Sequence, residues 1–200
     1  MDGTLIDTSD LIFRSFEYAL DQVLHTKLPR EDLLWTFGQP LAVAMKELGG
    51  TQAEQLHQAF TTYSIAHEHE IGLFPDVRET LEQLKAKGIK LAIVTSRVYH
   101  STIRDLDIVQ LRDYFDIIIT PELTAEHKPH PAPALKALEL LHLAPEETIM
   151  VGDSPSDLNC GRQANCYTAA VAYSMFPQEQ LAEHQPNYVV HSLAELLPLL

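Results

Sequence analysis

Thr148-Ile149-Met150-Val151-Gly152-Asp153-Ser154-Pro155-Ser156-Asp157 reads as a short buried strand, a turn bearing carboxylates, and the opening turn of a helix. The run Thr148–Val151 is too short for a helix and is bounded by Gly and Pro, the punctuation expected of a strand. Proline suits a first helical turn, where its missing N–H would be unpaired anyway. Asp153 and Asp157 suit the positive end of that helix. A strand that hands the chain straight to a helix belongs to an alternating α/β architecture.

The alternation extends outward in both directions. A helix is predicted over 77–87, stopped by Gly88, and Ile89–Val94 follows as a buried strand. Further short apolar runs stand at Ile117–Ile119, Tyr167–Val171 and Tyr188–Val190, with helical stretches between most of them. Ser192-Leu193-Ala194-Glu195 has the form of a capping box opening a last helix. The expected fold is a Rossmann-like parallel sheet covered by helices on both faces. Residues 8–73 read differently. Leu11, Ile12, Ser15, Phe16, Ala19, Leu20 and Val23 recur at three-to-four spacing. Pro40 and Gly49-Gly50 bracket a second helix, and Thr51-Gln52-Ala53-Glu54 resembles a capping box for a third. The expected organisation is a core of residues 1–7 and 74–200 carrying an all-helical insert of residues 8–73.

The chain has 28 acidic against 14 basic residues, a formal charge of −14. Phosphate-backbone binding needs clustered basic surface, so nucleic acid is not an expected partner. No apolar run approaches the length of a membrane span, and no basic segment followed by an apolar stretch marks a secretory signal. Cys160 and Cys166 match no zinc or redox spacing and read as free thiols. A cytoplasmic location is the expectation. An anionic substrate would need positive charge supplied locally, by a metal or a few placed cations.

Ligands of open parallel sheets bind beyond the carboxyl ends of the strands. Three such ends carry reactive side chains: Thr95-Ser96, the loop His127-Lys128-Pro129-His130-Pro131, and Asp153 with Asp157. The opening Met1-Asp2-Gly3-Thr4-Leu5-Ile6-Asp7 has the form of a fourth, an acidic turn that normally follows a buried strand. Hydroxyl, ammonium and three carboxylates are expected to converge on one rim. His67-Glu68-His69-Glu70 lacks the four-residue spacing that puts two histidines on one helix face, and reads as an exposed helix end.

Asp2-Gly3-Thr4-Leu5-Ile6-Asp7, Thr95-Ser96, Lys128-Pro129-His130-Pro131 and Gly152-Asp153-Ser154-Pro155-Ser156-Asp157 together resemble the haloacid dehalogenase superfamily of phosphohydrolases. The resemblance covers almost the whole chain. Residues 8–73 resemble that family's small helical cap, and Thr36-Phe37-Gly38-Gln39-Pro40-Leu41 is similar to the cap loop of phosphoglycolate phosphatases and related pyrophosphatases. The resemblance implies a Mg2+-dependent phosphatase acting on a small phosphorylated metabolite, phosphoglycolate-like or pyrophosphate, through an aspartyl-phosphate. By the same resemblance Asp2 is the acid–base, and Thr95, the Ser96 N–H and Lys128 hold the phosphate. Gln39 is a cap contact. Asp153 binds Mg2+ with the Asp2 carbonyl, while Asp157 ligates through water or braces the site.

The family's first motif, D-x-D-G-T, aligns its second Asp with Asp2 and its x with Met1. The attacking Asp, and the central first strand that leads to it, then fall before Met1. The resemblance therefore implies a chain that is inactive as written. The alternatives are a non-catalytic phosphate-binding or interaction protein, and a sugar phosphomutase relative, whose cap loop differs and which often carries Val where this chain has Thr4. Burying the five or so side chains of a central strand contributes about 1.5–3 kcal/mol each, which rivals a domain's whole net stability. That favours a late-assigned start. The in-frame codons directly upstream should spell about eight apolar-rich residues ending in Phe-Asp or a similar pair. A stop codon inside that stretch, read from the DNA, refutes the expectation.

Overall fold

The computed structural model describes residues 1–200. After the acidic turn, strand β1 (Ile6–Asp7) pairs antiparallel with β2 (Gly72–Leu73), so the chain leaves for the helical insert and returns at one point. Between them lie α1 (Ser9–Ala19), α2 (Leu41–Gly49) and α3 (Ala53–Ala66). The apolar stripe of α1 buries Phe16 and Ala19 against Met45, Leu56 and Phe60, with the Phe16 and Phe60 rings edge-on at 4.8 Å. This cluster is separate from that of the sheet.

The remainder alternates as its sequence pattern implies: α4 (Val77–Ala86), β3 (Ala92–Val94), α5 (Tyr99–Ile108), β4 (Ile117–Ile119), α6 (Ala132–Leu141), β5 (Ile149–Gly152), α7 (Pro155–Gln163), β6 (Tyr167–Val171), α8 (Gln178–Glu183) and β7 (Tyr188–Val190). All ladders among β3–β7 are parallel. They do not form one sheet. β3 pairs only with β4, with Ile93 opposite Ile118, and β5–β6–β7 form a separate leaf, with Val151 opposite Ala169. Between β3 and β5 runs an apolar cavity of about 410 Å³. Ala169, Ala170 and Val171 of β6 are fully buried, whereas Ala92, Val94 and Ile149–Val151 beside the cavity keep some exposure.

Several local expectations are corrected. The strand expected over Ile89–Val94 begins only at Ala92, and that expected over Thr148–Val151 runs from Ile149 to Gly152. The box at Thr51–Glu54 does not form, because Gly50–Gln52 takes a tight 3-10 turn and α3 starts uncapped at Ala53. The last helix is a single turn, Leu193–Leu196, and Glu195 accepts from the His191 N–H instead of closing a box on Ser192. β1 and β2 are too short to show a period of two. Cys160 and Cys166 are free and buried, and burial pushes the Cys160 thiol up to about 11, which leaves it unreactive. No helix is long and apolar enough to cross a membrane.

Phe16→Ala should cost about 3–5 kcal/mol in urea denaturation, because it opens a cavity between α1 and α3. Val43→Ala, on the exposed face of α2, should change stability by less than about 0.5 kcal/mol.

Candidate active site

The Met1–Asp7 turn is held by its own backbone and by the loop after β5. The Met1 carbonyl accepts from the Leu5 N–H at 2.8 Å and the Ile6 N–H at 3.1 Å. Gly3 sits at φ +68°, where a Cβ would lie 2.2 Å from Asp153 Oδ2. Only glycine meets both the dihedral and the close approach. Thr4 Oγ1 donates to Asp153 Oδ1 at 2.9 Å, and Tyr173 Oη donates to the Thr4 carbonyl at 2.7 Å. Gly3 and Thr4 thus fasten the turn to Asp153.

The N-terminus of α7 is a capping box. Ser154 Oγ accepts from the Asp157 N–H, and Asp157 Oδ2 accepts from the Ser154 N–H and hydroxyl. The other oxygen of Asp157 accepts from Lys128 Nζ at 2.6 Å, and Lys128 also donates to the Val94 carbonyl at 3.3 Å. Both side chains are buried. This pair ties the carboxyl end of β3 to that of β5. Thr95 Oγ1 accepts from the Arg97 N–H, shaping the turn that follows β3. Ser96 Oγ donates to the Gly38 carbonyl at 2.7 Å, across to the helical lobe. Gly38, at φ +82°, packs so closely on Ser154 that a Cβ would meet its hydroxyl at 2.9 Å. Gln39 lies beside this contact, with its amide donating to the Trp35 carbonyl rather than facing the rim.

Asp2 is engaged on both oxygens. Oδ1 accepts from Thr8 Oγ1 at 2.8 Å and Arg97 Nη2 at 2.7 Å, and Oδ2 accepts from Arg97 Nε at 3.2 Å. Arg97 is braced from behind by Asp105 at 3.1 Å. Arg97 and Asp105 were not among the sequence candidates. The available signal was a lone basic residue two positions after Thr95, on the same strand end.

Burial opposes every charge here, and the partners decide the outcome. For Asp2 burial is outweighed by the Arg97 guanidinium with Thr8, which hold the carboxyl far below the usual range. For Asp157 burial is outweighed by Lys128, so that carboxyl is also lowered, and Lys128 is raised in return. Asp153 has no such cation. Burial and the neighbouring Asp157 charge push it up to about 7. The Met1 amine lies in the field of Lys128, Asp2, Asp153 and Asp157, and burial followed by Lys128 lowers its pKa.

The expected convergence of hydroxyl, ammonium and carboxylates is therefore present, but the carboxylates do not form a ready ligand set. Asp2 turns its side chain to Arg97, and Asp157 turns to Lys128 and Ser154. A divalent cation fits what remains. Asp153 is a half-buried carboxylate without a paired cation, and the Asp2 carbonyl accepts no backbone hydrogen bond. Both are hard oxygen donors. Asp157 fits a bracing role. Arg14 lies outside the rim, paired with Asp10 and Glu70. His67–Glu70 follows the end of α3 as a single 3-10 turn with His69 and Glu70 exposed, and it is held by Arg14 through Glu70 and by Arg104, 2.7 Å from Glu68. His130 Nδ1 accepts from the Ala132 N–H at the start of α6, and His127 lines a small polar hollow with Thr95 and Lys128.

A parallel α/β sheet whose strand ends gather Asp2, Thr95, Lys128 and Asp153 defines a hydrolase class, and the comparison with known families agrees. Residues 1–171 match the haloacid dehalogenase-like hydrolases, and the chain belongs to that family of hydrolases acting on phosphate esters. The pyrophosphatase PpaX of Anoxybacillus flavithermus is 34% identical over 201 residues, covering 100% of this chain and 94% of that protein. The PpaX of Bacillus mycoides gives the same identity and coverage, 34%, 100% and 94%. Among solved structures, the haloacid dehalogenase-like protein SP0104 of Streptococcus pneumoniae superposes with a TM-score of 0.86 at 26% identity, covering 100% of this chain and 94% of that one.

The raised pKa of Asp153 gives a signed prediction. A carboxyl whose folded pKa lies above its unfolded value favours the protonated fold, so its contribution is lost as pH rises from about 4 through about 7. Asp153→Asn should therefore stabilise the metal-free chain at pH 8, by about 2 kcal/mol after discounting for partial solvent access. Near pH 4 the substitution should be neutral. Millimolar Mg2+ should raise the melting temperature of the parent at pH 8 and leave the variant unmoved. Thermal melts at the two pH values, with and without Mg2+, check all three.

Proposed function

We propose that the site is built to hydrolyse a small phosphorylated compound, inorganic pyrophosphate or a phosphoglycolate-like monoester, with Mg2+ as cofactor and in the cytoplasm. The observation that carries this reading is the meeting of Asp2, Lys128, Asp153 and Asp157 around the Met1 amine, at the shared carboxyl end of β3 and β5. A phosphate seated there is offered the Thr95 hydroxyl, the Ser96 N–H and Lys128. Phosphoryl transfer spreads negative charge over the equatorial oxygens, so preplaced donors are the main source of catalysis. Lys128 stays charged because Asp157 holds it. Mg2+, held by the Asp153 carboxylate and the Asp2 carbonyl, supplies further neutralisation of the phosphate oxygens. Ser96 and Gly38 keep the helical lobe against the rim, and Gln39 is the proposed cap contact to substrate, once its amide leaves the Trp35 carbonyl.

Asp2 is the proposed acid–base, a role typically worth ~10²–10⁴ in rate. Its carboxylate is ion-paired with Arg97, so it donates a proton only once that pair loosens. None of the carboxylates on the rim is placed to attack phosphorus. Asp2 is held by Arg97, Asp157 by Lys128, and Asp153 is the metal ligand. We assign the attacking group of an aspartyl-phosphate route to a carboxylate joined directly before Met1. Within residues 1–200 the rim supplies phosphate donors and a proposed proton-handling group but no free attacking carboxylate. The PpaX relatives' description as pyrophosphatases supports the substrate class.

The test compares the 200-residue chain with a version extended by a short apolar strand ending in Asp. With Mg2+ the extended protein should release phosphate from pyrophosphate, phosphoglycolate or an aryl phosphate, and the shorter one should not. Equal activity from both would mean that the nucleophile lies within the chain. Lys128→Ala in the extended protein should lower kcat/KM at least about 10²-fold, since a buried cation on the transferred group is lost.

A further inference from the structure

The Thr120 and Thr124 hydroxyls and the His127 Nδ1 nitrogen are each buried without a hydrogen-bond partner. All three residues line one small hollow, which Thr95 and Lys128 also border. The local fold brings them together. Thr120 follows β4 directly and is only 2% exposed. Pro121–Leu123 then forms a single 3-10 turn, closed by the Leu123 N–H on the Thr120 carbonyl at 3.0 Å, and the chain comes back to Thr124. His127 is the last residue before Lys128. The Glu122 carboxylate lies within reach of the Thr120 hydroxyl, yet it accepts from the Tyr99 N–H at 3.0 Å and makes no well-directed bond to that hydroxyl. The other unpartnered atoms are scattered, with Thr80 on α4 and Glu68 and Arg104 ion-paired to each other, so these three form the one cluster of their kind.

A buried polar atom left unpaired is costly, and three in one place call for a shared partner. Cavities that stay dry are apolar, whereas this one is lined by hydroxyls, an imidazole and an ammonium group. We propose that the hollow is a binding site for a single water molecule, held by Thr120 Oγ1, Thr124 Oγ1 and His127 Nδ1. The space open to a water's centre is about 10 Å³, enough for one molecule and too little for two. Three partners is also the usual coordination of a buried water. Charge selects a neutral ligand. A cation would face the Lys128 ammonium, and that ammonium is already matched by Asp157 at 2.6 Å, so no anion is called for. The water donates to His127 Nδ1 when the ring proton is on Nε2, and it shares its remaining bonds with the two hydroxyls. It thereby fastens the end of β4 to the loop that delivers Lys128, and His127 is a positioning residue for that ammonium. The inference concerns a structural ligand and holds whether or not the rim turns over phosphate.

High-resolution diffraction from the 200-residue chain is the direct test. Expected is one density peak within hydrogen-bond distance of all three atoms, lost when Thr120→Val and Thr124→Val are combined. No peak, direct bonds among the three side chains, or anomalous signal in the hollow after a bromide soak overturns the proposal. Stability supplies a signed test in solution. Valine matches threonine in shape, so Thr120→Val should stabilise the fold if the hydroxyl has no partner. With the water bound, the same change should instead raise the unfolding constant about fivefold in urea titrations. A neutral or stabilising result refutes the site. The loss should persist in a Glu122→Ala background, and if it vanishes there, the carboxylate is the partner and the water is not. The positioning role is read at the His130 N–H, which donates to the His127 carbonyl at 2.8 Å. His127→Asn keeps a polar atom where Nδ1 stands, whereas His127→Gln places its amide near Nε2. Hydrogen exchange at His130 should quicken about fivefold or more in His127→Gln and keep the parent rate in His127→Asn. Equal rates in the two variants would mean that the water does not hold the loop.

Discussion

The buried ion pair between Lys128 and Asp157 is the contact on which the rim depends. At 2.6 Å and almost without solvent, it stands or falls as a unit, because removing either partner strands the other charge in the interior. Its geometry is imposed from both sides. Asp157 is fixed by the capping box with Ser154, and Lys128 is fixed by the carbonyl of Val94. A local device, the cap of α7, is thereby coupled to a remote strand. The two leaves share no ladder, and this pair joins their carboxyl ends. The same pair sets the electrostatics around it. Lys128 pairs with Asp157 rather than with Asp153, so Asp153 is left as the carboxylate without a paired cation.

A second ion system stands opposite the first. Asp105, Arg97 and Asp2 form a chain of charges reaching from α5 into the opening turn. It orients the Asp2 side chain away from Asp153 and leaves the Asp2 carbonyl for other work. Two neighbouring acidic residues are thus driven to opposite titration behaviour, Asp2 well down and Asp153 up to about 7. Separation of this kind lets two neighbouring carboxylates in one site hold different protonation states. The helical lobe joins the rim through Ser96 and Gly38, so the turn after β3 and the Gly38 loop are one contact surface.

The positions carrying strong local rules were legible in advance. Gly3, Thr4, Thr95, Lys128, Asp153 and Asp157 meet as their strand-end placement implied, because a parallel sheet delivers all its carboxyl termini to one rim. Where local signals were weak, tertiary contacts overrode them. The box at Thr51–Glu54 lost to a tight turn that takes in Gly50–Gln52. Arg97 escaped notice because a single arginine in a loop looks solvated until its partners are known. Gln39 sits where the cap loop predicts, but its amide found the nearer Trp35 carbonyl.

Sequence by itself determined the alternating α/β core, the helical insert, the family and the set of residues brought to the rim. Those follow from short-range periodicity, from turn residues with few allowed conformations, and from a fold rule that needs no coordinates. Tertiary structure decided which partner each charge takes, and hence which carboxylate stays open. The choice of partner could not be read along the chain, because a buried charge answers to neighbours tens of residues away.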